Sequence, residues 1–158
     1  KINIDKIVIE IIKRKTPLLG ICLGMQLLFD ESEEFGINKG LGIIKGKIKK
    51  IPSNDLIKYN LKIPSIGWRK LNLKTSNDKK NYEYIFKQTD ENSKYYFVHS
   101  FYAAPEEDRS ILAYYNFGDI KIPAVVRKDN VIGCQFHPEK SGNDGLSLIK
   151  NFITYLKN

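Results

Sequence analysis

The feature that most limits what this chain can fold into is Gly20-Ile21-Cys22-Leu23-Gly24, set between an apolar run and a segment of helical spacing. Leu18-Leu19-Gly20-Ile21-Cys22 is short and apolar throughout, and Thr16-Pro17 stops whatever helix precedes it. Such a run reads as a strand buried on both faces, the habit of parallel strands in layered α/β proteins. Residues 24–30 then resume helical spacing. A strand, a cysteine between glycines and a helix form a nucleophile-elbow layout, with Cys where hydrolases of similar fold place Ser. Glycines admit a sharp turn and close backbone approach. The start of the helix is expected to lower the thiol pKa and to offer backbone N–H groups to a developing oxyanion, Leu23 giving one of them. A small buried cysteine fits the same pattern, so the elbow alone does not establish chemistry.

A second motif, Gln135-Phe136-His137-Pro138-Glu139, closes the last expected strand, residues 131–136. A histidine beside a thiol takes its proton and returns it to a leaving amine. A carboxylate holds that imidazole in the right tautomer and stabilises its cation. His137 and Glu139 are two apart with Pro138 fixing the backbone between them, so both can point into one site. The plain alternatives are a surface turn for His137 and a solvated pairing of Glu139 with Lys140. His99 lies in Phe97-Val98-His99-Ser100 on another expected strand and reads as a structural, hydrogen-bonded histidine. Two histidines and two cysteines in no ligand spacing give no expectation of a metal. No phosphate loop or dinucleotide fingerprint occurs, so no cofactor is expected.

Around these motifs, Ile4, Ile7, Val8, Ile11 and Ile12 form the stripe of an amphipathic helix over residues 3–14. Residues 46–51, 66–73, 95–102, 111–117 and 120–127 read as strands separated by turn signals. Asp144 can cap a final helix with the stripe Leu146, Ile149, Phe152, Ile153 and Leu156. Residues 75–81 and 87–92 read as exposed loops. No repeat or linker is visible, so residues 1–158 are expected to form one α/β domain with an antiparallel strand-rich insertion. The net charge of +8 comes mostly from scattered lysines, and Lys47-Ile48-Lys49-Lys50-Ile51 reads as a strand with one solvated face rather than a nucleic-acid patch. No apolar run approaches the ~18 residues of a membrane helix. No signal peptide is visible, and two cysteines in separate motifs fit a reducing cytoplasm.

Together, G-x-C-x-G and Q-F-H-P-E resemble the class I, triad-type glutamine amidotransferases. Leu19-Gly20-Ile21-Cys22-Leu23-Gly24-Met25-Gln26-Leu27-Leu28-Phe29, Lys39-Gly40-Leu41-Gly42, Ile66-Gly67-Trp68, Tyr96-Phe97-Val98-His99-Ser100 and Gln135-Phe136-His137-Pro138-Glu139-Lys140-Ser141-Gly142 narrow the resemblance to the glutaminase subunits of imidazole glycerol phosphate synthase. The resemblance implies a flavodoxin-like fold with a central, mostly parallel sheet and an antiparallel strand-rich portion. It implies Cys22 as nucleophile, His137 as general base and acid, and Glu139 as its orienter. It further implies glutamine as substrate, with Gln26 and Glu34 holding its polar ends and the backbone at Ser100 and Phe101 lining the same pocket. The implied partner is a synthase (cyclase) subunit in a heterodimer that receives ammonia through a channel. Trp68, Tyr96 and Lys140 match positions facing that partner, although a core aromatic or a solvated lysine would serve as well.

Two departures from the family pattern stand out. The family normally opens with an initial strand and a glycine-rich loop supplying the other oxyanion N–H, a segment absent here, which suggests a longer natural protein. Ser65 and Arg69 stand where the family usually has His and Asn. That change also fits the same chemistry feeding a sugar amidotransferase of surface polysaccharide biosynthesis. A non-catalytic scaffold subunit and an independent cysteine hydrolase on the same fold are the other readings.

Overall fold

Where the apolar run meets the second motif decides the architecture. The computed structural model describes residues 4–53, 56–74 and 84–155. Helix α1 (Ile4–Lys13) leads into β1 (Leu18–Ile21), the edge strand of a five-stranded sheet. β1 pairs in parallel with β11 (Val131–Cys134), from Leu18 opposite Val131 to Ile21 opposite Cys134. Beyond β11 lie β10 (Ile120–Lys128), β9 (Ile111–Phe117) and β6 (Asn72–Leu73), all antiparallel to their neighbours. The sheet is thus mixed, and the parallel pairing expected of it is confined to β1–β11 among the described residues. Gly118-Asp119 and Asp129-Asn130 are two-residue turns, and connections that short can join only antiparallel neighbours.

A four-stranded sheet runs β3 (Asn38–Lys39), β2 (Glu31–Ser32), β4 (Gly46–Lys50) and β8 (Phe101–Pro105). β5 (Ser65–Lys70) and β7 (Lys94–His99) form an antiparallel ribbon. Two expected strands are therefore divided. Residues 66–73 break at Leu71 and 95–102 at Ser100, and each half joins a different sheet. The expected helix over 24–30 shrinks to α2 (Leu23–Gln26). The loop at 40–44 takes over its later carbonyls: Leu41 N–H donates to Leu27 O, Ile43 and Ile44 to Leu28 O, and Gly42 to Phe29 O, all at 2.8–3.0 Å.

Adjacent residues of β10 and β11 enter different cores, as strand alternation requires. Val125 and Ile132 join an aromatic cluster with Tyr95, Phe97, Tyr115, Phe117 and Phe136. Val126 and Val131 join Met25, Leu28, Phe29, Ile44 and Ile48. Gly133 makes room for the second cluster, because a Cβ there would stand 2.5 Å from Met25 Cγ. The final helix, α3 (Gly142–Tyr155), buries Gly145, Leu148 and Phe152 and leaves Leu146 and Ile153 exposed, a face rotated from the expected stripe. Leu156 and residues 75–81 lie outside the described residues. Asp144 lies within the first turn of α3 and accepts from Ser93 Oγ (3.1 Å) and Lys94 N–H (2.9 Å), tying α3 to β7 rather than capping it.

His99 is buried between the sheets, with Nδ1 2.8 Å from Phe101 O and Nε2 2.8 Å from Tyr115 Oη, which lies 3.1 Å from Ser65 Oγ. Burial pushes the His99 pKa from 6.5 down to about 4, against the bond to the Phe101 carbonyl and helped by the Arg69 charge. As pH falls from 6.5 towards 4, the unfolded chain takes up this proton and the folded one does not. Stability is therefore lost on acidification through that window, by up to about 3 kcal/mol from this group. Urea unfolding at pH 7, 5.5 and 4.5 should show that slope, and His99→Asn should flatten it.

Candidate active site

The elbow is strained at the cysteine itself. Cys22 adopts φ 50°, ψ −107°, a conformation non-glycine residues rarely hold without compensation. Its N–H donates to Cys134 O at 2.8 Å, extending the parallel ladder one residue past β1. Gly20 allows the chain to fold back on itself: a Cβ there would stand 2.8 Å from the Gly24 carbonyl carbon and oxygen. Gly24 meets no such limit, as a Cβ on it would have nothing within 4 Å. Of the two glycines flanking the cysteine, only the first is sterically required.

The same register delivers the second motif. Leaving β11, Gln135 turns its Nε2 to within 3.8 Å of Cys22 Sγ, and His137 follows two residues later. His137 is held from both sides, its N–H donating to Tyr96 O (2.9 Å) and its carbonyl accepting from Ser141 Oγ (2.6 Å). That hydroxyl also accepts from Tyr96 N–H at 2.9 Å, so β7 and α3 fix the histidine together. The side chain pairs through Nδ1 with Glu139 Oε1 at 2.7 Å. A carboxylate only accepts, so Nδ1 carries the hydrogen and Nε2 is the nitrogen free to take a proton. Glu139 lies in the single 3₁₀ turn Pro138–Lys140, which keeps it beside the ring.

The thiol pKa is raised, not lowered as the helix start suggested. Burial is the main cause and the charges of Glu139 and Glu34 add to it. These outweigh the Leu23 N–H and the Gln135 side chain, which favour the thiolate. A helix of four residues has little dipole to oppose that burial. The cysteine therefore rests protonated and needs a base.

Of the other expected residues, Leu23 does present its N–H to the sulfur, and Glu34 is near enough for its charge to be felt there. Gln26 is buried, and its Nε2 donates to Phe101 O (3.3 Å) and Gln135 Oε1 (3.2 Å). The Ser100 carbonyl accepts from Ile51 N–H at 2.9 Å. Trp68 is 50% exposed and stacks edge-on with Tyr96, ring centres 5.9 Å apart, so it is not a core aromatic. Lys140 is exposed at the end of that turn. The sequence reading gave no role to Gln135 or Ser141. The available signal for Gln135 was its place two residues before His137, on the same side of an extended chain.

Comparison with known proteins identifies the family. A model of the family glutamine amidotransferase class-I matches residues 3–155. The chain is 44% identical over 153 residues to imidazole glycerol phosphate synthase subunit HisH of Lactococcus lactis, covering 97% of the chain and 69% of the relative. It is 42% identical over 155 residues to the same subunit of a Geobacillus species, covering 98% and 70%. With that of Prochlorococcus marinus it shares 47% over 141 residues, covering 89% and 61%. In fold it is similar to a chain of PurLQS from Thermotoga maritima (TM-score 0.67, 21% identity, covering 97% of this chain and 68% of that one). A glutamine amidotransferase of Thermotoga maritima gives a TM-score of 0.57 at 16% identity, covering 97% and 54%.

The elbow geometry separates its two glycines by experiment. Gly20→Ala should lower stability by roughly 1–3 kcal/mol, because backbone on both sides must shift. Gly24→Ala should change it by less than about 1 kcal/mol. Urea midpoints of the two variants check both values.

Proposed function

The chain belongs to the glutamine amidotransferase class-I family, and from that premise we propose that Cys22, His137 and Glu139 hydrolyse glutamine as a catalytic triad. The observation that carries this reading is one alignment: the parallel β1–β11 register sets Cys22, at its strained elbow, beside the strand end that bears the His137–Glu139 pair. The names of its relatives, at 44% and 42% identity across nearly the whole chain, support a glutaminase subunit of an imidazole glycerol phosphate synthase in histidine biosynthesis.

The chemistry follows from the groups in place. His137 Nε2 takes the proton of the Cys22 thiol as Sγ attacks the carboxamide carbon of glutamine. The carbonyl oxygen becomes an oxyanion, which the Leu23 N–H receives. His137 returns the proton to the amide nitrogen, ammonia leaves and a glutamyl thioester remains. Water then attacks the thioester, giving its proton to His137, and glutamate departs as the thiol is restored. Glu139 keeps the tautomer and stabilises the imidazolium throughout. The Glu34 carboxylate suits the α-ammonium of the substrate, while Gln26 and the backbone of Ser100 and Phe101 shape the pocket around its polar ends.

Ammonia is of use only to an acceptor, so a partner subunit belongs to the reading. Trp68, Tyr96 and Lys140 would face it, with the half-exposed Ile66 beside Trp68 on β5. A cyclase subunit receiving ammonia through a channel is the partner that the relatives' names support.

Glutamine turnover by the full-length protein, alone and with the cyclase and a ligand in its active site, tests this. Strong stimulation by the liganded cyclase is expected, with Cys22→Ala lowering the rate at least about a thousandfold. Turnover indifferent to the cyclase would reject this partner, and turnover that survives Cys22→Ala would reject the triad.

A further inference from the structure

The hydrogen bonds behind Cys22 have a polarity that one atom dictates. The Phe101 carbonyl can only accept, and two side-chain nitrogens converge on it: His99 Nδ1 at 2.8 Å and Gln26 Nε2 at 3.3 Å. Both must therefore be N–H donors. Gln26 Nε2 also lies 3.2 Å from Gln135 Oε1, which fixes that end of the second amide as its oxygen. The opposite end of the same amide, Nε2, is then the end 3.8 Å from Cys22 Sγ, so an N–H faces the sulfur. With its hydrogen on Nδ1, His99 presents a lone pair at Nε2, where Tyr115 Oη stands 2.8 Å away, and Ser65 of β5 lies behind that hydroxyl. All of His99, Tyr115, Gln26 and Gln135 are buried.

We propose that His99 is a positioning residue for the nucleophile: its Nδ1–H holds in place the Phe101 carbonyl that directs the Gln26 and Gln135 amides, and so keeps an N–H aimed at the Cys22 sulfur. An N–H there stabilises a thiolate, whereas a reversed amide would set a carbonyl oxygen against the developing negative charge. Glu139 and Glu34 already disfavour that charge, and the Gln135 N–H is one of two groups that favour it. His99 touches neither sulfur nor substrate, so its action passes through three intervening groups. This inference rests on the reading of Cys22 as nucleophile, but its consequence, a thiolate that forms at lower pH, is visible without any glutamine turnover.

The test is the rate of alkylation of Cys22 by iodoacetamide across pH in the full-length protein, read by mass spectrometry on the Cys22 peptide. Cys134 is fully buried and does not compete in the folded chain. His99→Leu is expected to move the midpoint of the profile up by roughly one pH unit, the size expected for losing one hydrogen bond to a charged sulfur. Gln135→Met should give the same shift, and combining the two should add nothing further. His99→Asn, whose amide can set an N–H near the Nδ1 position, should stay close to the unaltered protein. A His99→Leu protein that is folded by circular dichroism yet keeps the unaltered profile overturns the proposal, even with a lowered melting temperature. Should His99→Leu fail to fold, Tyr115→Phe decides. Losing the Tyr115 hydroxyl at Nε2 loosens the ring that holds the Phe101 carbonyl, which should raise the midpoint by a smaller amount, and an unmoved midpoint overturns the proposal. Absence of glutamine hydrolysis in the unaltered protein would instead count against the proposed function.

Discussion

The backbone bond from Cys22 N–H to Cys134 O is the constraint on which the site depends. It is the last rung of the one parallel pair that the five-stranded sheet has among the described residues, and it sets two distant segments in one register. A slip of that register by one residue would turn Gln135 to the opposite face, away from the cysteine. The register is protected by burial on both faces, since Val131 and Ile132 enter different cores. It is also anchored at its start, where Leu18 N–H donates to Asn130 O and the Asn130 amide donates to Thr16 O. Packing far from the sulfur thus carries the precision that a thiol–imidazole reaction needs.

Electrostatics at the site work against the thiolate rather than for it. Burial and two carboxylates hold the proton on Cys22, and the favourable contributions are a single backbone N–H and one amide. A resting protonated thiol suits a glutaminase whose product ammonia is wasted unless an acceptor waits. In the proposed mechanism the nucleophile forms only as His137 takes the proton. His137 is in turn fixed by β7 through Tyr96 and by Ser141 at the start of α3. β7 also carries the outward-facing Tyr96 ring that meets Trp68, so one strand bears both the exposed aromatic surface and the support of His137.

Much of this was legible in the sequence, and the failures have physical reasons. The apolar run and the two motifs gave β1, the cysteine and the His137–Glu139 pair, because glycine, proline and apolar runs state local geometry directly. β9 falls on its expected residues, 111–117, because turn signals bound it on both sides. What local pattern could not show was change of partner. Apolar residues lie on both sides of Ser100 and Leu71, so each stretch reads as one strand, while the strands pass from one sheet to another. The truncated α2 had the same cause, since its carbonyls go to a loop more than ten residues away in sequence. The thiol pKa was misjudged because a four-residue helix and two facing carboxylates are tertiary facts. Gln135 stood inside a recognised motif, but its contact with the sulfur exists only once β1 and β11 are paired.

The central claim is that this register makes Cys22 the one reactive nucleophile for glutamine. The most direct measurement is covalent capture by a glutamine analogue carrying a diazoketone in place of the carboxamide, incubated with the full-length protein and mapped by mass spectrometry. The account predicts a single adduct on Cys22, prevented by excess glutamine and formed far more slowly when His137 is replaced by alanine. An adduct on another residue, or labelling of Cys22 that ignores both glutamine and His137, would contradict it.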